Sequence, residues 1–87
     1  MTELEECRSA INEIDEVMAG LFEQRMDWCK KIGDYKKANN LPVFQPEREQ
    51  EIITKKSSLI KNEKYKSYYQ RFIQNVMDLS KELQNEK

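Results

Sequence analysis

Positions 4, 7, 11, 14, 18, 21, 25, 28, 32 and 35 carry Leu, Cys, Ile, Ile, Met, Leu, Arg, Trp, Ile and Tyr. Their spacing alternates three and four without a break, the heptad signature of a helix with a long apolar seam. Thr2 is placed to cap its start, and Glu3, Glu5 and Glu6 suit the positive end of the helix dipole. Lys30, Lys31, Lys36 and Lys37 suit the other end, and Asn39-Asn40-Leu41-Pro42 stops the run. The spacing therefore predicts one helix over about 2–38. Such a helix is roughly 54 Å long at about 1.5 Å per residue. A compact chain of 87 residues has a radius of gyration near ~12 Å and is only about 30 Å across. The helix must project from its own fold with its seam bare, so a partner chain is expected to cover it. The simplest cover is a second copy, giving a homodimer in which each long helix packs on the other subunit.

The rest of the chain also reads as helix. Gln45-Pro46-Glu47-Arg48-Glu49 looks like a start, with proline near the first helical position and acids after it. That helix is expected over about 46–60, burying Ile52, Ile53 and one or both of Leu59 and Ile60. Lys61-Asn62-Glu63-Lys64 reads as a connection. A third helix over about 64–85 follows, with Tyr65, Tyr69, Phe72, Val76, Leu79 and Leu83 at spacings of four and three. Two glycines and two prolines leave little turn chemistry for sheets. The expectation is a single all-α domain over 1–87: three helices, a very long first helix, and an intertwined all-helical homodimer.

Several function classes drop out. A net charge of −1 with mixed signs is unlike the basic footprint of a nucleic-acid binder. No apolar run is long enough to span a membrane. The N-terminus lacks the basic and apolar regions of a signal peptide, so a cytoplasmic location is expected. There is no histidine, which excludes Ser–His and Cys–His catalysis and the usual imidazole metal sites, and no metal-ligand cluster is expected. Cys7 and Cys29 on one helix lie roughly 33 Å apart, too far to pair within the chain. They read as buried structural thiols.

The polar residues on inward faces carry the functional signal. Arg25 is the one charged member of the seam, and a buried guanidinium must pair with an acid, one on helix two being the plain candidate, or await an anion. Lys36 lies eleven positions on and returns to within about 20° of Arg25 around the helix, although it could instead snorkel into solvent. Arg8 is roughly 25 Å from Arg25 along the axis. It cannot reach the same small pocket within one straight-helixed chain, but an antiparallel partner could present it there; the plain reading is an exposed arginine. On helix three, Ile73, Met77, Ser80 and Gln84 run beside the apolar seam, and a buried Gln84 amide needs partners or a wet pocket. Arg48 and Glu49 stand one turn before Ile52 and Ile53 and can lean inward, or form a solvated pair. Such a set suits a dianionic substrate whose reaction needs placement and charge stabilisation rather than bond-making by the protein.

In order and spacing, these residues resemble the all-helical chorismate mutase family of bacterial type. The resemblance runs through Arg8-x-x-Ile11-x-x-Ile14-Asp15-Glu16, Leu21-Phe22-Glu23-Gln24-Arg25 and Ile32-Gly33-Asp34-Tyr35-Lys36. It continues through Pro42-Val43 and Glu47-Arg48-Glu49 to Ser80-x-x-x-Gln84. It implies an interlocked dimer and the cofactor-free Claisen rearrangement of chorismate to prephenate, toward phenylalanine and tyrosine. It also implies residue roles. Arg25 would hold one substrate carboxylate and Arg8, from the partner subunit, the other, with Ser80 near the ring carboxylate. Lys36 and Gln84 would donate to the ether oxygen, Glu49 would take the ring hydroxyl, and Arg48 would complete the polar wall. The chain departs from the best-known pattern at Gln45, where an Asp is often found, so weaker substrate binding is expected there rather than lost chemistry. Two rival readings remain at this stage: an isochorismate pyruvate lyase of similar architecture, and a non-catalytic helical module that docks through its seam. Gly33 inside the long helix costs about 1 kcal/mol against alanine, and either a neighbouring helix or the substrate could require it.

Overall fold

The computed structural model describes residues 1–86. Three helices form the regular structure of those residues: α1 (Glu3–Ala38), α2 (Pro46–Ser57) and α3 (Glu63–Gln84). Thr2 caps α1 as its spacing predicts, its Oγ1 accepting from the Glu5 amide at 3.2 Å. At the other end, Asn40 adopts φ 56°, a left-handed conformation that asparagine tolerates better than most side chains. The Leu41 amide then bonds back to the Lys36 carbonyl at 2.8 Å and the Asn40 amide to that of Lys37 at 3.4 Å. This paired closure satisfies the last carbonyls of α1 and reverses the chain directly after Lys36.

Pro46 opens α2. The helix stops three residues before the expected boundary near residue 60. Ser58 Oγ bonds to the Lys55 carbonyl at 2.6 Å, and the Leu59 and Ile60 amides reach back only three residues, to Lys56 and Ser57. A serine hydroxyl competing for a helical carbonyl favours this tightened end. Ile52, Ile53 and Ile60 are half-buried and Leu59 is exposed. Asn62 restarts the chain as the cap of α3, its side chain accepting from the Lys64 amide at 3.0 Å.

α3 is the hub, packing on both α1 and α2. It does so through a line beside the one its apolar spacing suggested. Ile73, Val76, Met77, Ser80 and Gln84 are buried, whereas Tyr65, Phe72 and Leu79 of the expected seam are exposed. α1 bonds to α3 from Arg25 onward, and Cys29 and Gly33 are its only buried residues. From Glu3 to Gln24 every residue is exposed. Within the seam Leu4, Ile11, Ile14, Leu21 and Trp28 retain between 54% and 64% of their surface. Cys7, expected to be buried, is exposed on this bare segment, while Cys29 is buried as expected.

The molecule measures 55 Å along its longest axis, with a radius of gyration of 16.2 Å. That length is the length of α1, and the radius exceeds the ~12 Å of a compact chain this size. No helix among the described residues is long and apolar enough to cross a membrane.

Candidate active site

The C-terminal turns of α1, the start of α2 and the end of α3 enclose a cleft of about 220 Å³. Arg25 and Lys36 reach it from α1, Arg48 and Glu49 from α2, and Ser80 and Gln84 from α3. All the site residues anticipated from the sequence except Arg8 thus meet in one place. Arg8 is exposed on the bare part of α1. A larger hollow of about 490 Å³ lies outside the 42–46 loop, but Arg25 and Lys36 do not line it. Size does not locate the chemistry here.

Arg25 Nη1 donates to Ser80 Oγ at 2.6 Å and approaches Cys29 Sγ at 3.6 Å. Ser80 donates its own proton to the Val76 carbonyl at 2.9 Å. A hydroxyl with its proton committed offers lone pairs, so Ser80 fixes the guanidinium in a single orientation. Among the described residues no carboxylate forms an ion pair with Arg25. The plain alternative, a carboxylate partner on α2, is not what the chain builds.

Lys36 does not snorkel away. Its Nζ donates to the Val43 carbonyl at 3.0 Å and to Gln84 Oε1 at 3.2 Å. Two of its three protons are used, and the third is available to the cleft. An ammonium only donates, so the Gln84 oxygen must face it and the amide nitrogen is turned the other way as a second donor. Lys36 likewise forms no ion pair among the described residues. Two half-buried cations without an acid partner suit two negative charges on a ligand, since an unpaired charge kept from water costs several kcal/mol.

Gly33 explains how close the donors lie. A methyl group built on it would meet Gln84 Cγ at 2.9 Å and Gln84 Cα at 3.1 Å. Of the two reasons left open by the sequence, the neighbouring helix is the one that applies. On α2, Glu49 leans inward, accepting from Gln74 Nε2 at 3.2 Å and pairing with Lys81 Nζ at 3.1 Å. Arg48 instead pairs with Glu51 at 3.3 Å on an exposed face, with only part of its side chain lining the cleft. Gln45 lines the cleft as well.

The order and spacing of these residues fit a known family along nearly the whole chain: the family described as Chorismate mutase type II matches residues 7–85. The chain belongs to the chorismate mutase type II family. A curated relative, the bifunctional chorismate mutase/prephenate dehydratase of Aquifex aeolicus (strain VF5), is 46% identical over 55 residues. That match covers 63% of this chain and 15% of the relative, so the chain corresponds to a small part of that protein.

Within this chorismate mutase fold, sequence reasoning missed Lys81 and the Val43 carbonyl. Lys81 sits directly after Ser80, yet nothing in its spacing reveals the cross-helix bond to Glu49. That bond holds the Lys81 ammonium above the ordinary lysine range, with Asp78 adding a smaller push. Its contribution to stability is therefore complete at neutral pH and is lost only as pH rises through that raised value.

Gly33→Ala offers a direct check on the helix approach. The gain in helix propensity of about 1 kcal/mol is opposed by overpacking of about 1–3 kcal/mol. Because one contacted atom is backbone, the variant is expected to be less stable in urea denaturation at fixed protein concentration. A more stable Gly33→Ala protein contradicts the close packing.

Proposed function

We propose that this chain catalyses the Claisen rearrangement of chorismate to prephenate, as a homodimer with shared active sites. The observation that carries the reading is the pairing of Lys36 and Gln84. Two donors from different helices are locked together at 3.2 Å, beside an arginine that forms no ion pair among the described residues.

The rearrangement breaks a C–O bond and forms a C–C bond within one molecule, so no proton transfer or covalent intermediate is demanded of the protein. Binding must fold the enolpyruvyl arm over the ring and stabilise charge as it grows on the ether oxygen. Arg25, aligned by Ser80, takes one carboxylate with a planar fork of donors. That leaves the second carboxylate without an uncommitted guanidinium in the cleft, because Arg48 is paired with Glu51 and Arg8 is roughly 25 Å from Arg25 along α1. A second copy laid antiparallel along the bare seam brings its own Arg8 to the cleft and covers the exposed apolar residues. One arrangement thus supplies both missing elements. The third proton of Lys36 and the Gln84 amide donate to the ether oxygen, and their bonds strengthen as charge develops. Glu49 accepts the ring hydroxyl, with the Arg48 side chain forming the adjacent wall and Gln45 where an acid is more usual.

Mixing the purified protein with chorismate and identifying the product tests the activity. Prephenate is expected, with turnover falling about 10²–10³-fold in Lys36→Ala, as for loss of an oxyanion donor. Salicylate and pyruvate from isochorismate, without prephenate, would show a lyase; no turnover by a folded dimer would leave a docking module. The shared site has its own test. Arg8→Ala and Arg25→Ala should each be inactive alone, whereas mixing their subunits should restore one working site per heterodimer. Folded heterodimers that stay inactive contradict the placement of Arg8 across the interface.

A further inference from the structure

Lys81 is a cleft-lining cation to which the proposed rearrangement assigns no role. Its Nζ lies 3.1 Å from Glu49 Oε2 and donates to Oε1 at 3.3 Å, so it spans both carboxylate oxygens. Asp78 Oδ1 is 3.3 Å away on the same helix. The ammonium also stands 4.6 Å from the centroid of Phe44, a residue of the loop that closes the cleft. Both members of the Glu49–Lys81 pair are largely withdrawn from solvent, with 16% and 25% of their side-chain surface remaining.

Glu49 is the sole acid among the residues lining the cleft, Gln45 being neutral. A lone carboxylate facing an incoming dianion is repelled by it. The charged groups around Glu49 are Arg25 and Lys36 on α1, Arg48 and Glu51 on α2, and Asp78 and Lys81 on α3. Arg48 is paired with Glu51, and Lys36 is committed to Val43 and Gln84. Lys81 alone among them bonds to Glu49.

We propose that Lys81 is a positioning residue for substrate recognition: it neutralises Glu49 and holds both carboxylate oxygens in place to receive the substrate's ring hydroxyl. This rests on the reading of Glu49 given under the proposed function. The Lys81 ammonium acts through Glu49 rather than on the substrate, because its bonding directions are taken by Glu49 and Asp78. The hydroxyl does not change charge during the rearrangement, so the contact serves ground state and transition state alike. Its loss therefore raises KM and leaves kcat nearly unchanged.

The test combines the carbon-13 resonance of the Glu49 carboxyl with chorismate kinetics, on the wild-type chain, Lys81→Met and Lys81→Arg. Lys81→Met is expected to move the Glu49 carboxyl resonance at neutral pH, because it removes the ammonium that spans both oxygens. It should also raise KM about tenfold with kcat within about threefold of wild type. Lys81→Arg should restore much of both. In a Glu49→Gln background, Lys81→Met should change KM by less than about twofold, since the partner through which it acts is gone. An unmoved resonance overturns the proposal, as does an equal loss in the Glu49→Gln background, which would mark Lys81 as a direct substrate contact. A wild-type protein that makes no prephenate refutes the activity itself. The resonance still reports separately whether Lys81 holds Glu49.

Discussion

The cleft depends on the near-contact of α1 and α3 at Gly33. With no side chain there, the Gln84 backbone and stem come within the space that a methyl group would need. Gln84 then lies within reach of Lys36, three residues on in α1, and Ser80, one turn earlier in α3, comes within 2.6 Å of Arg25. Each donor pair is thus fixed by the approach of two rigid helices rather than by a loop. The loop's bond to Lys36, through the Val43 carbonyl, follows from the sharp reversal at Asn40 that brings the chain back over Lys36. Helix-borne groups held by mutual bonds need little reorganisation when charge appears between them, which is what electrostatic stabilisation of a transition state requires.

The same packing leaves most of α1 uncovered within one chain. α3 packs on both α1 and α2, and α1 is exposed throughout from Glu3 to Gln24. The bare part of α1 carries alternating apolar residues at coiled-coil spacing, a surface too long and regular for a solitary chain in water. The exposed Tyr65, Phe72 and Leu79 on α3 extend the uncovered apolar surface. In the proposed dimer, burial of these surfaces and completion of the site by Arg8 are the same event, so folding, association and activity are linked.

Much of this was legible from residue order. The three helices, the Thr2 cap, the Pro46 start and the projection of α1 follow from periodicity and capping chemistry. Arg25, Lys36, Ser80 and Gln84 stood out because a polar residue on an apolar line demands a partner. What escaped is what lies between helices. Spacing gives each helix its faces, but not which of two adjacent lines on α3 is the better covered: Ile73, Met77, Ser80 and Gln84 are all buried, whereas Val76 alone is buried on the apolar line beside them. The Glu49–Lys81 bond joins α2 to α3, and no local pattern encodes it. The early end of α2 turned on one serine hydroxyl competing for a carbonyl, a contest that sequence alone leaves undecided. The reason for Gly33 likewise emerged only when Gln84 was seen beside it.

The central claim is that the cleft is complementary to a dianionic, charge-shifted transition state formed by one small molecule in a shared site. Calorimetric titration with a bicyclic dicarboxylate mimic of that transition state tests it most directly. The account predicts one mimic per chain, bound at least about 10²-fold tighter than chorismate. Binding no tighter than that of the substrate, or one mimic shared by two chains, contradicts it.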